Sequence, residues 1–346
     1  MIAKKWVKCH VFVLHGNQRE IRGSMKKFVL FITIAALSMS CNQNGGQKNV
    51  VSQRYIHKYG YDVSPSEWET KKCPGQVLTT FTDGKTIVET FEDGILHGQR
   101  TETFPHSQTL RLSEQYERGT LVKRVTYSIR GVPQREEAFK SPTHIIATEW
   151  YAFGSPKSRE EIQENVILSG EYFNLSNEVE SRIQNGTGLR TVHNPSGDIL
   201  AKEVYNNYEC TYIETFYPNN MPKSTASYER GNLQGEKKKF AMTGEPISVE
   251  QYVQGKRHGV CTYYQNGCKY LEVPYAYGIR HGIEREYIDG QVLAAESEYQ
   301  NGERHGTTVV YVDGSAHTSW YYHNDKVTKE MFDDLSRRIE VITRNS

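Results

Sequence analysis

The sequence predicts an all-β protein: an elongated solenoid, or twisted antiparallel sheet, of stacked β-hairpin repeats of about 23 residues, closed by a C-terminal capping helix. Three observations predict it. One short word, aromatic-x-x-Gly-x-x-His-Gly, recurs along the chain. An Asn-Gly or Asp-Gly turn follows half a period later. The last twenty or so residues change to helical spacing. A fixed period overrides other readings, because it makes the fold one small unit stacked many times.

The chain opens on residues 1–24, a polar stretch without a pattern of its own, read as an N-terminal extension. Residues 25–40 have the layout of a lipoprotein signal: Met25, two lysines, a short apolar run, then Leu37-Ser-Met-Ser40 before Cys41. The apolar run is shorter than the ~20 residues a membrane span needs. Cys41 is the expected lipidation site, and Met25 the alternative start. Residues 41–66 are read as a flexible tether, since the run after Cys41 is polar and Gly-rich. Residues 67–326 are the repeat domain and 327–346 the capping helix and tail.

The clear repeats are Phe91-Glu-Asp-Gly94-Ile-Leu-His97-Gly98, Tyr252-Val-Gln-Gly255-Lys-Arg-His258-Gly259, Tyr275-Ala-Tyr-Gly278-Ile-Arg-His281-Gly282 and Tyr299-Gln-Asn-Gly302-Glu-Arg-His305-Gly306. A fifth, Tyr228-Glu-Arg-Gly231-Asn-Leu-Gln234-Gly235, has Gln for His. The anchors Gly231, Gly255, Gly278 and Gly302 lie 24, 23 and 24 residues apart. The same step reaches Asp325 forwards. Backwards it reaches Tyr208, Gly186, Asn165, Pro142, Gly119, Gly94 and Lys71, giving eleven or twelve units with degenerate middle ones. The second turns include Phe81-Thr-Asp-Gly84, Tyr264-Gln-Asn-Gly267, Tyr287-Ile-Asp-Gly290 and Tyr311-Val-Asp-Gly314. Asn-Gly and Asp-Gly supply the positive φ of tight hairpins. Runs such as Thr307-Thr-Val-Val-Tyr311 suit strands. Twelve such hairpins at ~4.8 Å per strand would extend roughly 115 Å, twisting as they go. At the end, Val327, Met331, Leu335, Ile339 and Ile342 mark one helical face, expected to cover the last strand.

Aromatic-x-x-Gly-x-x-His-Gly with a following aromatic-x-Asp/Asn-Gly turn resembles the MORN-repeat variant family, which includes bacterial proteins labelled YwqK-type antitoxins. The resemblance spans about Trp68 to Asp325, with its strong copies in the five units above. It implies an antiparallel β-hairpin solenoid and, through the label, an antitoxin-like binding protein.

Composition narrows the function. The net charge is +1, and no basic stripe extends beyond Lys237, Lys238 and Lys239, so nucleic acid is disfavoured. The 23 tyrosines suit a thinly covered sheet, where rings pack and hydroxyls reach water. Of six cysteines, Cys73, Cys210, Cys261 and Cys268 fall in the repeats. Pairing through Asn266-Gly267 sets Gln265 opposite Cys268. Cys261 is then four residues away, roughly 13 Å at ~3.4 Å per residue, beyond disulfide reach.

The repeated histidines His97, His258, His281 and His305 suggest a metal array. Equivalent positions, however, lie two strands apart, ~9.6 Å, too far to share one ion. We expect them to hydrogen-bond backbone, together with the structural turn glycines Gly94, Gly98, Gly231, Gly235, Gly255, Gly259, Gly278, Gly282, Gly302 and Gly306. No metal, cofactor or catalytic constellation is expected: Gly-x-Ser-x-Gly, a phosphate-binding glycine loop and His-Glu-x-x-His are all missing. The Tyr rungs Tyr252, Tyr275 and Tyr299 are the candidate binding surface for a glycan, a peptide or a partner's strand. Stacking that holds the solenoid together is the other reading of the same rings. The expected protein is a lipid-anchored envelope lipoprotein, placed at the outer membrane. It would act as a non-catalytic binding or scaffolding module, its partner a protein or an envelope glycan. An antitoxin or immunity protein that binds a toxin directly is the alternative, and an envelope glycan-binding protein or hydrolase a further one.

Overall fold

The computed structural model describes residues 49–344; the expected signal and Cys41 lie outside the described residues. The protein is all-β: 27 described strands in antiparallel pairs, joined by hairpins, with two helices. It divides into two compact units, residues 49–121 and residues 122–344.

In the first unit, strands Val50–His57, Gly75–Phe81, Thr86–Glu92, Ile95–Thr103 and Leu110–Glu117 pair in that order. A helix, Pro65–Lys71, interrupts them. Its start is written locally: the Ser64 hydroxyl accepts the Glu67 N–H at 3.3 Å, and Pro65 occupies the first turn, where no N–H is needed. Lys72, at φ 47°, ends it. The helix buries Trp68 against Val63, Cys73 and Val77, flanked by Tyr55 and Phe91. Two expectations are corrected here. The strand Val50–His57 lies inside the stretch read as a tether and is held there by antiparallel pairing with Gly75–Phe81. Trp68 to Lys71 is helix rather than a first degenerate repeat.

The second unit continues the hairpins as far as the strand Asp325–Val327. Its anchor turns hold two successive residues in the left-handed region: Asn185-Gly186, Asn207-Tyr208, Arg230-Gly231, Gln254-Gly255, Tyr277-Gly278 and Asn301-Gly302. That is the primed turn whose twist matches the flanking strands. The degenerate copies keep the conformation without glycine, as at Glu164-Asn165. Two anchors differ from expectation. Pro142 forms a hairpin without a left-handed pair, since its ring fixes φ near −65°. The last turn is His323-Asn324, one residue before Asp325, which already pairs with Tyr322.

Successive anchor turns are bonded to one another. The Gly186 N–H donates to the Leu168 carbonyl at 2.8 Å, Gly255 to Leu233 at 2.9 Å, Gly278 to Arg257 at 2.7 Å and Gly302 to Arg280 at 2.9 Å. Gly119 does the same to Leu96 in the first unit, at 2.8 Å. The approach leaves little room. A Cβ on Gly186 would run into the Tyr208 ring, and one on Gly302 would lie 3.3 Å from Ile279. The second glycine of each motif answers a different need. Gly259, at φ 86°, sits in a kink where the His258 N–H reaches the Gln251 carbonyl.

Cross-strand register follows the expected turn: Gln265 faces Cys268, while Cys261 faces Val273, and all four described cysteines are free. The C-terminal helix spans Lys329–Arg344. Its docking residue is Phe332, against Trp320 at 5.1 Å and His305 at 5.4 Å. Met331 and Ile339 of the expected face stay exposed. The helix therefore covers one face of the last strands, and the short strand Asp325–Val327 covers part of their edge.

Two substitutions separate the demands on a turn glycine. Gly235 has open space where a methyl group would sit, so Gly235→Ala should cost only the left-handed penalty, about 1–2 kcal/mol. Gly186→Ala adds the clash with Tyr208, a further ~1–3 kcal/mol. Urea unfolding of both variants reads the difference. Equal losses would refute close turn stacking.

Candidate functional site

The repeated histidines lie on the edge formed by the anchor turns. His97 Nδ1 accepts the N–H of Arg118 at 3.2 Å, and His258 Nδ1 accepts that of Tyr277 at 3.4 Å. Each accepted N–H belongs to the residue just before the next anchor glycine. Gln234, the one departure from His, does the same with its amide oxygen toward Gln254 N–H at 2.9 Å. The shared requirement is an acceptor of that reach, which both side chains supply. His305 ends the series differently. Its Nδ1 is buried without a partner, and its ring packs on Phe332. Burial, then the neighbouring His323, pushes its pKa down.

Alternation along the strands puts a second series on one face. Glu160, Glu203, Glu250 and Glu284 all point there and are buried. In a low-dielectric site each needs a partner. Arg190 bridges two of them, Glu160 at 2.7 Å and Glu203 at 3.2 Å, while the Tyr172 and Tyr205 hydroxyls donate to the same two carboxylates. Glu250 accepts from the Tyr252 hydroxyl at 2.6 Å and from the Ser248 hydroxyl at 3.0 Å, and pairs with Lys239 and Arg257. Burial pushes Glu250 up, but the Tyr252 hydroxyl, Lys239 and Arg257 outweigh it and bring the pKa down to about 2. Glu284 pairs with Arg280 at 3.1 Å; burial, helped by Glu286, outweighs Arg280, Arg304 and the Tyr299 hydroxyl and holds its pKa above the usual value. In the first unit, Arg100 likewise joins Glu89 and the buried Glu114.

The three candidate rings belong to this face. Tyr252 is half-buried over Glu250; burial first, then that carboxylate, raises its hydroxyl pKa to about 12. The Arg257 guanidinium lies 5.5 Å from the Tyr275 ring centre, and Arg280 lies 5.3 Å from that of Tyr299. Tyr299 is buried, its oxygen accepting from Arg304 at 3.1 Å. Tyr275 and Tyr299 are thus engaged by arginines, and cations reach solvent on the face: Lys239, Arg257 and Arg280 are 45%, 38% and 44% exposed. The arginine before three of the four His (Arg257, Arg280 and Arg304; Leu96 precedes His97) stands in plain view in the motif, and period-2 alternation places it on the Tyr face. Sequence reasoning passed over it because histidine is the rarer residue of the pair and the one with metal chemistry. Two open clefts of about 310 and 330 Å³ occur elsewhere in this unit, and of the buried glutamates above none lines either.

No protein-family model and no curated protein matches this chain.

His258→Gln should retain the bond to Tyr277 and leave stability near wild type, whereas His258→Ala should lose about 1 kcal/mol. Thermal unfolding of both, with zinc assayed in the purified proteins, checks this; a fall in bound zinc alongside either loss would sink it. Glu250 also sets a pH dependence. Its folded pKa lies below the ordinary value of 4.5, so its contribution is complete above 4.5 and fades as pH falls through about 2. Glu250→Gln should lower stability at neutral pH by about 3 kcal/mol, the low end for a buried pair since its cations are partly exposed. The variant should also flatten the stability curve between those pH values.

Proposed function

We propose that this chain is a non-catalytic binding or scaffolding module of the cell envelope, held to the membrane by a lipid on Cys41 and built from repeats akin to the MORN-variant family. One observation carries the reading: a series of units, bonded to one another through their turns, presents the same Tyr-Arg pair at a fixed step on one face, with Arg257 on Tyr275, Arg280 on Tyr299 and Arg304 on Tyr321. Such a periodic surface suits recognition of an extended partner. The carboxylates speak for binding rather than hydrolysis. Glu160 and Glu203, the closest-bridged pair, are 6% and 3% exposed and share Arg190, so neither is presented to a substrate.

The test is affinity capture of the lipidated protein from its own membranes after mild crosslinking, with proteins and glycans both identified. A specific glycan or one stoichiometric protein is the expected result. A secreted toxin as that protein would favour the immunity reading. Capture of nothing above a Cys41→Ser control, or turnover of a captured glycan, would overturn the proposal. Cys41→Ser itself should abolish incorporation of a labelled fatty acid and release the protein from membranes.

A further inference from the structure

Resting on the binding-module reading, we propose that the face bearing Tyr252, Tyr275 and Tyr299 binds an acidic polysaccharide carrying one carboxylate per disaccharide. The first ground is charge. Register places Lys237, Lys239, Arg257, Arg280, Arg304 and Lys326 on this face, against Glu250, Glu284 and Glu286. The carboxylates of Glu250 and Glu284 are 1% and 7% exposed, while the cations paired with them reach solvent. Only Glu286 brings an exposed negative charge to the face among these nine. Solvent therefore meets a positive surface, although the whole chain is nearly neutral. Lys237 stands outside the pairing of Glu250 with Lys239 and Arg257. Burial and then Lys239 push its pKa down, outweighing Glu250 opposite it on the neighbouring strand. Lys326 is exposed beside Tyr321.

The second ground is spacing. Arg257, Arg280 and Arg304 hold equivalent places in successive hairpins, so they recur every two strands, ~9.6 Å. An extended acidic peptide presents same-face side chains every ~6.8 Å and would drift out of step. A polysaccharide alternating charged and neutral sugars keeps a one-charge repeat close to the hairpin step. The third ground is the state of the rings. Guanidinium groups already lie over Tyr275, Tyr299 and Tyr321, so the face offers charged forks rather than bare aromatic platforms. Arg257 donates Nε and Nη2 to Glu250, and Arg304 its Nε to Tyr299, so a ligand carboxylate would take the remaining guanidinium N–H groups, which form charge-assisted hydrogen bonds.

The test titrates the full-length protein in detergent with an oligosaccharide that alternates glucuronate and N-acetylglucosamine over several repeats. Binding that weakens with salt is expected, together with none for the same oligosaccharide as its methyl ester. Lys237→Gln combined with Lys326→Gln leaves the glutamate pairings of this face in place and should weaken binding about tenfold. Lys238→Gln with Lys256→Gln makes the same charge change on the opposite face and should leave affinity unaltered. Equal binding of the ester, equal loss in both double variants, or preference for poly-glutamate or anionic-lipid vesicles would overturn the inference. A membrane partner still captured by Lys237→Gln/Lys326→Gln, with the oligosaccharide unbound, would overturn it while leaving the binding-module reading intact. Failure of capture itself would remove that reading instead.

Discussion

The hydrogen bond from an anchor glycine to a carbonyl just past the turn before it, made at Gly119, Gly186, Gly255, Gly278 and Gly302, is the constraint on which the rest of this edge depends. A hairpin alone is marginal in water. Here each turn is fixed twice, by its own left-handed pair and by its neighbour. The donor must approach closely, which explains glycine at the anchor where Tyr208 or Ile279 lies beneath. At Arg118, Gln254 and Tyr277 the N–H one residue earlier would then be left unpaired, and the His or Gln of the preceding unit accepts it. Glycine and histidine in the motif thus answer adjacent donors of one turn. Stability built this way passes from neighbour to neighbour, as in other stacked repeats.

Across the strands the same logic appears with charge. Burying a glutamate such as Glu203 or Glu250 on a sheet face is unfavourable unless each oxygen finds a donor. Arginine and tyrosine in neighbouring strands supply them. A slip of one residue would send every one of these side chains to the opposite face and leave carboxylate and guanidinium apart. An apolar face would tolerate such errors better than this one. The rungs therefore act against misregister in a fold whose strands otherwise look alike, a role that net stability alone would not require.

Much of this was legible because the two periods are simple. Tight turns announce themselves as Asn-Gly and Asp-Gly, and the 23-residue step located even the Glu164-Asn165 and Asn207-Tyr208 turns, which lack glycine. The ends were harder. Val50–His57 follows a polar stretch and is mostly exposed, so nothing in its composition set it apart from a tether. Pro65–Lys71 is too short for helical periodicity; only Ser64 and Pro65 betray it. In the C-terminal helix the longest apolar series ran through Met331 and Ile339, but Phe332 is the side chain that meets an aromatic surface, because Trp320 and His305 lie under it. Pairings on the ladder face were out of reach for another reason. Sequence gives the face of Arg190, but not that one guanidinium would serve two carboxylates on different strands.

The regular and degenerate repeats also differ in what they do with charge. Around Arg190 the cation is under its partners, tyrosine hydroxyls complete the shell, and little charge is left over. In the copies at Tyr252, Tyr275 and Tyr299, the arginine before the histidine lies on a tyrosine, and the Arg257 and Arg280 side chains remain partly in water; the copy at His97 has Leu96 in that place. A structural requirement satisfied equally well by either arrangement gives no reason for the motif to be kept strictly in one stretch and lost in another. Recognition of a repeating ligand does, since each bound segment must meet the same group at the same step. On the binding reading proposed above, the copies that carry this arginine would answer two demands, folding and binding, and the others folding alone.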